Sequence, residues 1–98
     1  MRNLKTTMDI FAQIADRIIK QQEGIIGPIA LEQAHKVQGI RFDNENHINI
    51  EGDKRAILEN LVRQYEKLFG PASIEVCRDA VRGIIGQAPQ DQIPQLLL

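Results

Sequence analysis

The sequence predicts an all-α domain of four main helices, arranged as two helix-corner-helix units, and three observations carry that prediction. Two long apolar stripes repeat at helical spacing. Each stripe ends at a Gly-Pro pair, Gly27-Pro28 and Gly70-Pro71. A shift of 43 positions then lays "IIKQQEGIIGPIALEQAHKV" on "LVRQYEKLFGPASIEVCRDA", matching Gln21 with Gln64, Glu23 with Glu66, the two Gly-Pro pairs, and Glu32 with Glu75. Fixed-offset similarity of this kind marks a supersecondary unit that cannot cover its own apolar face, so each copy is expected to cover the other. The units run from about residue 7 to 39 and from 54 to 86, with a connector at 40–53 and a tail at 87–98.

The first helix is predicted between Thr7 and Ile26, where Phe11, Ile14, Ala15, Ile18, Ile19, Ile25 and Ile26 share one face and Gln22 interrupts the stripe. Thr6 or Thr7 is the expected N-cap, with Asp9 in the first turn facing the positive end of the helix dipole. Gly27 permits backbone torsions closed to other residues, and Pro28 lacks the N–H that a continuing helix would use. The helix should stop there. Proline is also well placed at the start of a helix, so Pro28 opens "PIALEQAHKVQ", with Gly39 as its expected end.

The second unit reads the same way. Asp53 caps a helix bearing Ile57, Leu58, Leu61, Val62, Tyr65, Leu68 and Phe69 on one stripe, and Gly70-Pro71 ends it. The fourth helix begins at Pro71 and carries Ile74, Cys77, Ala80, Val81 and Ile84 inward until Gly86, Ala88 and Pro89 close it. Glu23 and Glu66 sit near helix C-termini, where a carboxylate is disfavoured. One explanation is that each accepts hydrogen bonds from free N–H groups at the start of the next helix.

In the connector, Ile40/Phe42 and Ile48/Ile50 alternate around the polar "DNEN". A two-stranded hairpin and an ordered loop pinned by Phe42 and Ile50 both fit that pattern. The tail ends in Leu96, Leu97 and Leu98, which are expected to dock in a groove of this subunit or of a neighbour and are the candidate interaction residues.

Ninety-eight residues suffice for one small domain, which buries a modest share of its surface and is expected to gain core by homodimerisation. A net charge of −1 offers no broad attraction for nucleic acid, and the absence of a long apolar run argues against a membrane partner. A single cysteine, Cys77, and no leader-like segment point to the cytoplasm.

Candidate chemistry is sparse, and no catalytic or cofactor-binding residues are predicted. Glu32 and His35, three apart on one helix face, have the spacing of ligand pairs in di-iron four-helix proteins. Such a site needs two pairs and two further carboxylates, whereas the counterpart of His35 in the second unit is Arg78. Two His35 side chains across a dimer axis would restore the set, and a solvated flank histidine is the plainer reading. The segment from Asp43 has the oxygen-rich composition of a calcium loop, but Ile48 and Lys54 stand where that loop needs Gly and Glu. Cys77 is expected as a buried structural thiol, and Ser73 has no identifiable His partner. A helix-turn-helix reading would aim Arg78 and Arg82 at DNA, against the repulsion of Glu75 and Asp79.

"EGIIGPIALEQA" and "EKLFGPASIEVC" resemble the small "IGPIA"-type helical domain of bacterial signalling proteins, including some serine/threonine kinases, and of stand-alone cyanobacterial proteins. The likeness covers about twenty residues per unit and centres on Gly27, Pro28, Gly70 and Pro71. It implies structural corners and a regulatory or scaffolding context, with no catalytic residue. The expected role is therefore a non-enzymatic protein-interaction or signalling accessory module. A metal- or small-ligand-binding helical protein using Glu32 and His35 is the alternative, and a DNA-binding regulator the third.

Overall fold

The computed structural model describes residues 9–98, and the chain is mostly helical. Helix α1 spans Ile10–Ile26, α2 Ile29–Ala34, α3 Lys54–Phe69 and α4 Ala72–Val81. A two-stranded antiparallel hairpin, β1 (Ile40–Phe42) and β2 (Ile48–Ile50), lies between α2 and α3. Three short 3₁₀ turns follow, at Ile85–Gln87, Gln90–Gln92 and Gln95–Leu97.

Both corners form as expected, and with the same local geometry. Gly27 has φ 75° and Gly70 φ 85°, the left-handed range open to glycine. Pro28 and Pro71 then return the chain to helical torsions, near −59°/−20° and −60°/−26°. In each corner the glycine N–H donates to the carbonyl four residues back, Glu23 or Glu66, at 2.9 and 2.8 Å. The first N–H groups of the short helices are taken by the corner itself: Ala30 bonds Gly27 and Ser73 bonds Gly70, both at 3.0 Å. Those bonds displace the expected capping by Glu23 and Glu66. The Glu66 carboxylate turns instead to Arg63, 2.8 Å away.

Three element ends also differ from expectation. Thr6 and Thr7 lie outside the described residues; the N-cap of α1 is Asp9, whose carboxylate accepts the Ala12 N–H at 2.8 Å. Asp53 caps α3 as predicted, accepting from Ala56 at 3.2 Å. Helix α2 stops at Ala34 rather than running to Gly39, because the chain tightens into three-residue turns, Lys36 to Gln33 and Val37 to Ala34, that satisfy the last carbonyls early. Helix α4 stops at Val81 rather than near Gly86. The following Gly83 and Gly86 each weaken a helix by about 1 kcal/mol relative to alanine, and the chain continues as turns.

The helices pack crosswise: α1 lies along α4, and α3 along α2, in addition to the contacts within each corner-linked pair. Ile14, Ile18, Leu58, Leu61, Val62 and Tyr65 form the fully buried centre. The hairpin is present because it has a wall to lie on. Ile40, Ile48 and Ile50 are buried, and β2 packs on α1, while Arg41 and Asn49 point outward. Lys54 fastens it to α3, donating to the Ile50 carbonyl at 2.7 Å. Leu97 of the tail is buried within the same chain, and the Arg78 Nε donates to the Leu96 carbonyl at 2.9 Å.

Candidate functional site

A buried polar network ties each long helix to the start of the other pair's short helix. Gln22, near the end of α1, is 2% exposed and donates to the Ser73 carbonyl at 3.3 Å and to the Cys77 sulfur at 3.4 Å. Tyr65, at the matching position of α3, donates its hydroxyl to the Ala30 carbonyl at 2.7 Å. Ser73 and Ala30 open α4 and α2, so each long helix is tied to the first turn of the other unit's short helix. Buried donors left without partners would cost about 1–3 kcal/mol each, so this network fixes how the pairs cross.

The chemistry of the network is inert. Burial pushes the Tyr65 hydroxyl well above its ordinary range, and it pushes the Cys77 thiol up to about 11 despite the opposing hydrogen bond from Gln22. Near neutral pH both keep their protons, and a protonated buried thiol is a poor nucleophile. Cys77 is fully buried and Ser73 nearly so.

What the corners leave outside is apolar. Ile25, Ile29, Leu68 and Phe69 are 60%, 37%, 49% and 42% exposed, and with Leu98 they make up the exposed large hydrophobic side chains among the described residues. Ile25, Leu68 and Phe69 were expected in the inward stripes. They escape burial because the chain turns away at Gly-Pro, leaving the last turn of each long helix projecting past the elements that cover the rest. Leu68 stands at the position matching Ile25, so the long helix of each pair leaves an apolar side chain exposed just before its corner.

The remaining candidate residues are scattered. Glu32 and His35 are both exposed on or beside α2; the His35 ring stacks on Phe42 at 4.1 Å between centroids, bridging α2 to β1. Among the described residues no group of three or more His, Cys, Asp or Glu side chains is placed to hold a metal ion. Asp43 serves the hairpin turn: its Oδ1 accepts the N–H groups of Glu45 and His47 at 2.8 and 2.9 Å, and these bonds hold its carboxyl below the usual carboxylate range. Arg78 is bound to Glu75 and to the Leu96 carbonyl, and Arg82 to Asp79, so both cations of a supposed recognition helix are engaged within the chain. Of the tail leucines, Leu97 is buried, Leu96 half-buried and Leu98 exposed.

A groove of about 500 Å³ lies beside the second corner, between the turns that follow α2 and the outer row of α3. Val37, Lys36 and Gln38 line one side and Asn60, Arg63, Gln64, Glu66 and Lys67 the other. Sequence reading missed it, although Asn60, Arg63, Gln64 and Lys67 follow the 0, 3, 4, 7 spacing of one helix face. No helix of the described residues is long and apolar enough to cross a membrane. Comparison with protein-family models, curated proteins and solved structures yields no match.

Proposed function

We propose that the chain is a non-enzymatic protein-interaction module, a signalling accessory of a bacterial cytoplasm, that binds a partner protein or a second copy of itself through the apolar side chains exposed beside its two corners. The single observation behind this reading is the exposure of Ile25, Ile29, Leu68 and Phe69 beside the two corners, at the ends of helices that buried hydrogen bonds tie to the opposite pair. Large apolar side chains left exposed beside both corners of a small domain offer contact surfaces. Homodimerisation is the simplest form of that contact for so short a chain, since it adds the core that the monomer lacks. The likeness of the Gly-Pro segments to the "IGPIA"-type domain supports the bacterial signalling context, and the match at an offset of 43 supports reading the pairs as copies of one unit.

Sedimentation of the wild type, Ile25→Glu and Leu68→Glu tests the surface, with circular dichroism as the check on folding. Concentration-dependent association lost in both folded variants is the expected result. Association unchanged by either substitution would contradict the assignment.

A further inference from the structure

We infer that the groove between the end of α2 and the outer row of α3 receives an acidic segment of the partner protein. This inference rests on the reading of the chain as an interaction module and adds the chemistry of what it binds. Arg63 bonds Glu66, the one carboxylate in the lining, at 2.8 Å and is shared with Glu59 at 3.7 Å, so it offsets only part of their charge and the positive excess of the lining comes from Lys36 and Lys67. Lys36 and Lys67 are exposed and form no ion pair among the described residues. Asn60 and Gln38 likewise have side-chain amides free of hydrogen bonds there.

The groove therefore presents two unpaired ammonium groups and spare amide donors over a buried apolar floor at Val37. In a chain whose net charge is −1, this local positive excess is not a general property of the surface. Cations set in a concavity attract anionic groups more strongly than cations on a convex surface, and amides can then fix the backbone of an extended segment. Carboxylates on a peptide satisfy both features.

Fluorescence anisotropy with a short fluorescein-labelled glutamate-rich peptide tests the assignment. The intact protein should bind it with an affinity that falls as salt rises. Lys36→Glu with Lys67→Glu should weaken binding by about tenfold or more, whereas Arg55→Glu with Arg82→Glu, the same charge change outside the groove, should leave it within about twofold. Equal binding of a lysine-rich control peptide, no binding of the acidic peptide, or displacement of that peptide by inorganic phosphate or by single-stranded RNA at comparable concentrations would overturn the inference. Leu68→Glu separates it from the broader reading. That variant should lose association yet keep peptide binding, so failure of the peptide assay alone removes the groove assignment and leaves the corner surface standing.

Discussion

Gln22 and Tyr65 occupy matching positions on the two long helices and make the same hydrogen bond in opposite directions. Gln22 reaches the Ser73 carbonyl at the start of α4, and Tyr65 reaches the Ala30 carbonyl at the start of α2. Different side chains thus perform one task, a clasp between units that neither unit provides for itself. Tyr65→Phe and Gln22→Leu keep most of the packing and remove the donor, so each should lower stability by about 0.5–1.5 kcal/mol in urea unfolding. Tyr65→Ala should cost about 3–5 kcal/mol, because a cavity is added to the lost bond. A Phe variant as destabilised as the Ala variant would show that the hydroxyl, rather than the ring, carries the site.

The glycines should separate by what surrounds them. At Gly27 and Gly70 an added Cβ meets nothing within 4 Å, so alanine there costs only the backbone strain of positive φ with ψ near ±180°, about 1–3 kcal/mol. At Gly39, φ 97°, a Cβ would lie 2.5 Å from the Ile57 Cδ1 and 3.0 Å from the Glu51 carbonyl. Gly39→Ala should therefore be the most destabilising of the three in thermal unfolding, and equal losses at all three would show that crowding at Ile57 relaxes freely.

The tail leucines should differ although they are adjacent. Leu97 is 3% exposed and Leu98 is 53% exposed. Leu97→Ala is expected to cost about 2–3 kcal/mol and Leu98→Ala to stay within about 0.5 kcal/mol. A concentration-dependent loss on Leu97→Ala would instead place that side chain in a neighbouring copy.

Alkaline pH should weaken the fold through the buried network. Burial pushes the Cys77 thiol up to about 11, against an ordinary value of 9.0, and raises Tyr65 in the same direction. Both acids hold their protons more tightly in the folded chain, so the unfolded chain ionises first as pH rises. The thiol's contribution is complete below about pH 9 and is lost as pH climbs through 11, on the order of 2–3 kcal/mol, and that of the Tyr65 hydroxyl is lost only at still higher pH. Urea midpoints followed across this range should fall less steeply for Cys77→Ala than for the wild type; parallel curves would refute the assignment of the slope to this thiol.

Local chemistry made much of this fold legible in the sequence. Gly27-Pro28 and Gly70-Pro71 act through their own torsions and a missing donor, and Asp53 acts on an N–H three residues away, so none of them needs knowledge of the rest of the chain. Asp9 was harder to place, since three cap-competent residues, Thr6, Thr7 and Asp9, crowd the start of α1. Gln22 read as a flaw in an apolar stripe because its partner is a carbonyl 51 positions later. Ile25, Leu68 and Phe69 read as core because periodicity records a helix face but not how far its covering neighbour extends. The groove at Lys36 and Lys67 is joined only by the approach of α2 to α3, which no local pattern records.

The central claim is that two Gly-Pro corners hold two helix pairs which grip each other crosswise. Nuclear Overhauser contacts in solution test it most directly. The Tyr65 ring should show contacts to Ala30, and the Gln22 side-chain amide to Ser73 and Cys77, with sequential helical contacts interrupted at Gly27 and Gly70. Uninterrupted helical contacts through either corner, or a Tyr65 ring with no contact to Ala30, would contradict the architecture and the interaction surface inferred from it.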